Sequence, residues 1–214
     1  MFILTDTPNI GNQFIAELRD IHIQQDRMRF RYNLERLGEI LAYEISKTFS
    51  YQNKELETPL SKTTVLLPQS QIVLFSILRA SLPFYQGFLN FYDDAESGFI
   101  GAFREESAEG DIKINLGYHA SPSVEGKTVI LADPMLATGK SFVRSIEKIL
   151  THGTPALIHI VALFAAPEGL AYLKTHLSVP HRIWIGTLDD RLNELSYIVP
   201  GCGDAGDLAF GAKL

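Results

Sequence analysis

The chain has 214 residues, 46% of them hydrophobic and 21% charged, with a formal net charge of −6 and a mean hydropathy of +0.06. That is a globular composition of ordinary single-domain size, and the acidic balance excludes a general nucleic-acid or anionic-membrane binder. A single cysteine, Cys202, excludes an intrachain disulfide and suits a reducing compartment; with no basic, apolar leader at the start and no apolar run of bilayer length, a cytoplasmic protein is expected.

Residues 1–62 read as an N-terminal helical region. Ile10, Phe14, Leu18 and Ile21 form one apolar stripe, and Leu34, Leu37, Leu41 and Ile45 a second. Around Glu55–Thr64 polar residues and Pro59 predict a connection or short hairpin. From Val65 the character becomes β-rich, with Val65-Leu66-Leu67 and then Ile72–Leu78, which ends in Arg79. A helix to Tyr92 follows, then a short strand over Gly98–Phe103 that ends in Arg104. The glycine-rich stretch 107–126 predicts a mobile loop or protruding hairpin.

Thr128–Leu150 has the strongest local pattern. Val129–Ala132 is an apolar strand that stops at Asp133-Pro134; small and turn-prone residues run to Ser141; Phe142, Ile146 and Ile149 then recur at helical spacing. Backbone N–H groups at such a strand–loop–helix junction, with the positive end of the helix dipole behind them, form a phosphate site. The acidic residue at the strand end suits a sugar hydroxyl or a metal instead, so the loop suggests a ribose phosphate. Thr138-Gly139-Lys140-Ser141 is not a Walker A loop, because Pro134 stands where that motif needs its first glycine.

Ala156–Phe164 predicts another buried strand, Pro167–His176 a helix, Arg182–Thr187 a last strand, and Leu195–Leu214 a turn-like tail. Strands that are nearly all apolar, alternating with helices, predict one α/β domain with a parallel sheet covered on both faces. Ligands of such sheets bind outside the carboxyl ends of the strands. Arg79, Arg104 and Asp133–Ser141 all fall there. Two arginines beside a phosphate loop suit a diphosphate, whose oxygens a guanidinium fork binds. Asp189-Asp190 reads as a turn or helix start, and Cys202 as a small buried hydrophobe.

Three stretches resemble the uracil phosphoribosyltransferase family: Ile77-Leu78-Arg79-Ala80-Ser81-Leu82, Asp133-Pro134-Met135-Leu136-Ala137-Thr138-Gly139-Lys140-Ser141, and Tyr197–Asp207 with its Gly203-Asp204-Ala205-Gly206-Asp207. Ala165-Ala166-Pro167-Glu168-Gly169 and Leu192-Asn193-Glu194 also look like that family, in family order. The resemblance implies a type I phosphoribosyltransferase fold with the 104–126 loop over the site and a base-binding segment at 195–214. It implies transfer of the phosphoribosyl group of 5-phospho-α-D-ribose 1-diphosphate to uracil, in pyrimidine salvage, with Mg²⁺ carried on the diphosphate, in a homodimer or higher homo-oligomer.

Carried over by position, Arg79 and Arg104 hold the diphosphate and Asp133 the ribose hydroxyls. Pro134, Met135 and Leu136 belong to the same loop, and Ala137, Thr138, Gly139, Lys140 and Ser141 take the 5′-phosphate. Ile198, Gly203 and Ala205 read the uracil edge. Asp204 lies between base and ribose and, with Arg104, stands as a catalytic candidate. Three departures are visible: Ser81 and Lys140 stand where the family usually has glycine, and Cys202 where it has leucine. If position 81 needs a positive φ, its serine adds strain of roughly 1 kcal/mol or more. Beside the transferase stand a non-catalytic phosphoribosyl-diphosphate or nucleotide sensor and a transferase for another base. Retention of Arg79, Arg104, Asp133 and Asp204 speaks against the first, and Gly203-Asp204-Ala205 against the second.

Overall fold

The structure, a computed structural model, describes residues 1–106 and 112–212, and between 102 and 116 the backbone alone. In chain order the elements are β1 (Phe2–Ile3), α1 (Gly11–Arg19), α2 (Arg27–Ser46), β2 (Tyr51–Glu57), β3 (Lys62–Pro68), β4 (Ile72–Leu78), α3 (Leu82–Leu89), β5 (Glu96–Glu106), β6 (Ile112–Ala120), β7 (Thr128–Ala132), β8 (Met135–Leu136), α4 (Lys140–Ile149), β9 (Leu157–Ala165), α5 (Pro167–His176), β10 (His181–Leu188), β11 (Arg191–Leu192), β12 (Ile198–Val199) and α6 (Ala205–Phe210).

The main sheet runs β1-β10-β9-β7-β4-β5-β6, with β8 added beside β9. All its pairings are parallel except β5 with β6. Because successive side chains of a strand point to opposite faces, the all-apolar strands feed two cores. Leu74, Ile130, Val161 and Trp184 pack under α2 and α3, with Leu34, Leu37, Leu41, Phe84 and Phe88. Val73, Phe75, Leu131 and Ile160 pack under α4 and α5, with Phe142, Ile146, Ile149 and Leu173. The expected α/β sheet, helix-covered on both faces, is what the chain forms.

Helix α2 starts at an Asp26 cap that accepts the Met28 and Arg29 amides. It crosses α3 so closely that a Cβ on Gly38 would lie 2.3 Å from the Phe84 carbonyl oxygen, and one on Gly87 2.1 Å from that of Glu35. Helix ends at Ser46, short of the expected boundary at 62. The next segment is the β2–β3 hairpin, paired from Tyr51 with Pro68 to Glu57 with Lys62. Its residues are mostly exposed, Leu66 at 64%, so Val65-Leu66-Leu67 is not part of the core sheet. Three adjacent apolar residues carry no periodicity, and the run alone does not distinguish a core strand from a projecting one. Of the stretch 107–126, expected as a mobile loop or protruding hairpin, residues 112–120 form β6, antiparallel to β5 as in a hairpin, and 107–111 lie outside the described residues.

Candidate active site

The phosphate loop owes its shape to Pro134. Lacking an N–H, Pro134 does not continue β7; its carbonyl instead accepts the amides of Leu163 (3.0 Å) and Phe164 (2.9 Å). The chain re-pairs as β8, Met135 opposite Phe164 and Leu136 opposite Ala165. Asp133 Oδ1 accepts the Met135 amide at 3.0 Å, which fixes the carboxylate at the carboxyl end of β7. Among the described residues the amides of Ala137, Thr138 and Gly139 meet no acceptor, and the first turn of α4 has no side-chain cap. Donors without an acceptor at the positive end of α4 are chemically suited to an anion.

Gly139 caps α4 with φ +76°, and a Cβ there would lie 2.8 Å from the Gly169 carbonyl oxygen. The converse contact is tighter: a Cβ on Gly169 would sit 2.3 Å from Ala137 O and 3.0 Å from Leu136 O. So α5 must carry glycine for the loop to rest on it. The neighbouring Glu168 accepts the Leu192 amide at 2.9 Å, a bond that holds its carboxyl below the usual range. Asn193 Oδ1 accepts the amides of Leu195 and Tyr197, closing the β11–β12 turn. The Ala165–Gly169 and Leu192–Glu194 motifs are thereby explained as the bed of the loop and the root of the carboxyl-terminal segment.

At the end of β4, Arg79 follows a cis Leu78–Arg79 peptide bond. Its Nη2 donates to Asp207 Oδ1 (2.9 Å) and to Gly211 O (2.8 Å), while its buried Nε has no partner. Ser81 has φ −75°, not the positive value that would strain a serine. Buried, it bonds Ser76 Oγ at 2.6 Å and donates to Ile77 O at 2.5 Å, uses glycine lacks. Lys140 opens α4, half-buried, with its amide 3.5 Å from Thr138 Oγ1. Neither departure from glycine has a positive φ; among the described residues other than glycine only Ser196 does. Arg104 lies on β5 opposite Ile114, and its side chain lies outside the described residues.

The carboxyl-terminal segment arrives through the β11–β12 ribbon and a cis Val199–Pro200 bond. Gly201 (φ +56°) and Gly203 (φ +92°) take left-handed turns that suit glycine. Asp204 then caps α6, its Oδ1 accepting the Asp207 amide at 3.0 Å, a helix the turn-like reading of the tail missed. Ile198 and Ala205 are buried, whereas Gly203 is exposed. Cys202 Sγ lies 3.9 Å from Met135 Sδ, which seats the segment against the phosphate loop; burial pushes its thiol up to about 12, so it is a packing group and not a thiolate. A Cβ on Gly206 would be 3.1 Å from Asp204 Oδ1 and 3.8 Å from Arg79 Nε, so strand end and segment meet there. Asp189, read from the sequence as a turn residue, is buried and accepts the Gly201 amide at 2.9 Å. Its partners are remote in sequence, and no local signal marks them. A cleft at the opposite, amino-terminal ends of β4 and β5, lined by Gln71, Tyr92 and Asp93, holds none of these residues.

A family model described as uracil phosphoribosyltransferase matches residues 5–212. The chain belongs to that family. A uracil phosphoribosyltransferase of Porphyromonas gingivalis is 45% identical over 203 residues, 95% of this chain and 94% of the relative. The uracil phosphoribosyltransferase of Thermococcus gammatolerans is 36% identical over 217 residues, covering 100% and 94%. Among solved structures, the AQ2163 protein from Aquifex aeolicus superposes with a TM-score of 0.85 at 32% identity, over 97% of each chain. The uracil phosphoribosyltransferase resemblance drawn from the motifs thus extends along the whole sequence.

Proposed function

We propose that this chain transfers the phosphoribosyl group of 5-phospho-α-D-ribose 1-diphosphate to uracil, giving UMP and diphosphate. The observation that carries this reading is the seating of the carboxyl-terminal segment around Gly203–Ala205 against the phosphate loop, through Cys202 and Met135, and against the end of β4, through Arg79, in a chain of this family. In the proposal the amides of Ala137–Ser141 hold the 5′-phosphate, Asp133 the ribose hydroxyls, and Arg79 with Arg104 the diphosphate. Ile198, Gly203 and Ala205 face the base, and Asp204 stands between base and ribose.

In the reaction the bond from the anomeric carbon to the diphosphate oxygen breaks, a bond from that carbon to uracil N1 forms, and the N1 proton passes to water or Asp204. Positive charge grows on the ribose and negative charge on the leaving group, which the guanidinium groups stabilise. Among the described residues no cluster of three or more His, Cys, Asp or Glu forms a metal cage. A Mg²⁺ that rides on substrate phosphates needs only one or two protein carboxylates, and Asp133, held at the carboxyl end of β7 by the Met135 amide, would supply one. When bound, it would neutralise diphosphate charge. The exposed apolar side chains of the β2–β3 hairpin, Leu60 at 96% and Leu66 at 64%, support assembly with further copies. The single cysteine supports a reducing, cytoplasmic setting.

The test is diphosphate release from phosphoribosyl diphosphate and Mg²⁺ with uracil, cytosine, adenine or hypoxanthine. Release with uracil alone is expected. Donor binding without release for any base would replace this reading with a sensor, and release with a different base would replace it with another transferase.

A further inference from the structure

Arg19, the last residue of α1 and half-buried, and the buried Asp189, just beyond β10, form an ion pair 170 positions apart in the chain. Arg19 Nη1 donates to Asp189 Oδ2 at 3.1 Å and to Gly201 O at 2.9 Å, while Asp189 Oδ2 accepts the Gly201 amide at 2.9 Å. The guanidinium also lies over the Phe164 ring, 4.9 Å from its centroid. Both main-chain groups of Gly201 are thus bound by one charged pair. Two more donors come from the amino-terminal helices. The Gln24 amide, oriented to donate, reaches Cys202 O at 2.9 Å and Leu18 O at 3.0 Å, and Arg31 Nη1 reaches Ala209 O at 2.8 Å. Three side chains of residues 19–31 therefore hold carbonyls on either side of Gly203–Ala205.

A buried ion pair is a weak source of net stability, because desolvation offsets most of its attraction. Its directional value is larger: a guanidinium fork fixes the plane of the peptide it binds. We infer that Arg19, held by Asp189 and assisted by Gln24, is a positioning residue for the base: it fixes the Gly201 and Cys202 peptides so that the main-chain groups of Gly203 and Ala205 meet uracil. The inference rests on the function proposed above. It should separate the substrates, since the clamp's hydrogen bonds go to the base segment and none to the main chain of the loop that holds the phosphate.

Three variants test it in steady-state kinetics with each substrate varied in turn, alongside thermal melts. Arg19→Met combined with Asp189→Leu removes the clamp without stranding a charge. Gln24→Met removes the bonds to Cys202 O and Leu18 O and leaves the ion pair, and Arg19→Lys keeps the charge without the fork. The double variant is expected to raise KM for uracil about tenfold or more, with kcat at saturating uracil and KM for the diphosphate donor within about twofold of wild type. Arg19→Lys and Gln24→Met should show smaller rises of the same kind. A folded variant set with unchanged KM for uracil, or with equal losses toward both substrates, overturns the inference. If the double variant does not fold, Gln24→Met and Arg19→Lys decide by the same criterion. Wild-type protein that binds the donor but turns over no uracil sinks the proposed function, and this inference with it.

Discussion

Arg79, at the end of β4, donates to the carboxylate of Asp207, in the first turn of α6, at 2.9 Å. The contact joins two stretches 128 residues apart and brings the arginine expected at the diphosphate beside the segment expected at the base. The guanidinium is partnered by Asp207 and by the Gly211 carbonyl. Those two bonds orient its fork, with Nε unpartnered.

Arg79→Lys should lower kcat/KM for the donor by about a hundredfold, since a lysine provides a point charge in place of a fork. Asp207→Asn keeps the amide that Asp204 caps and weakens only the tie to Arg79, so its loss should stay within about tenfold. Steady-state kinetics with donor varied checks both. A larger loss for Asp207→Asn than for Arg79→Lys would make the carboxylate, rather than the guanidinium, the group on which donor binding depends.

Gly169→Ala would place a Cβ 2.3 Å from Ala137 O, backbone that cannot swing aside as a side chain can. The phosphate loop must then shift, and a displacement near 1 Å suffices for about a hundredfold loss in rate. Kinetics should show kcat/KM for the donor falling at least tenfold, in line with that sensitivity. Circular dichroism should show the fold retained. Wild-type kinetics in this variant would mean that α5 does not set the loop.

Ser81 tests the reading of the strand-end turn. With φ −75° and a hydroxyl bonded to Ser76 and Ile77, serine belongs at this position. Ser81→Ala should cost about 1–3 kcal/mol by stranding the Ser76 hydroxyl. Ser81→Gly should be destabilising too, adding chain entropy to the same loss. Urea unfolding measures both, and a more stable Ser81→Gly would show strain that this geometry does not contain.

His159, on β9, accepts the Trp184 Nε1–H at 2.8 Å and is 1% exposed. Burial, with Arg182 adding a smaller repulsion, pushes its pKa down to about 4. The folded protein therefore holds it neutral while the unfolded chain protonates near pH 6.5. The resulting stability is fully present above about pH 6.5 and is lost as pH falls from there to about 4. The loss amounts to about 3 kcal/mol. Urea midpoints for wild type and His159→Phe should diverge in slope across that window, the variant being flatter. Parallel curves would place the charge change elsewhere.

Much of this was legible in the residues. The apolar runs of β4, β7 and β9 marked a buried parallel sheet, since strands covered on both faces need no polar alternation. Asp133-Pro134 followed by small residues marked the loop, because proline ends the strand and glycine permits the positive φ that starts α4. What was not legible depended on partners distant in sequence. Asp189 looked like any turn acid until α1 brought Arg19 to it. Gly169 looked like a helix residue until Ala137 O lay against it. The short hairpin expected around Glu55–Thr64 is there, but its second strand was hidden in Val65-Leu66-Leu67, an apolar run too short to carry a period. The short α6 was hidden among glycines, its only local sign being the Asp204 cap.

The central claim is that one ligand spans both halves of the site, its phosphate on the Asp133–Ser141 loop and its base on the Ile198–Ala205 segment. Calorimetric titration with UMP, AMP and ribose 5-phosphate addresses it most directly. UMP should bind at one equivalent per chain, and more tightly than either of the other two. Equal affinities for UMP and ribose 5-phosphate would mean that the segment contributes nothing to the base, and equal affinities for UMP and AMP that it does not read uracil. Either result would contradict the account.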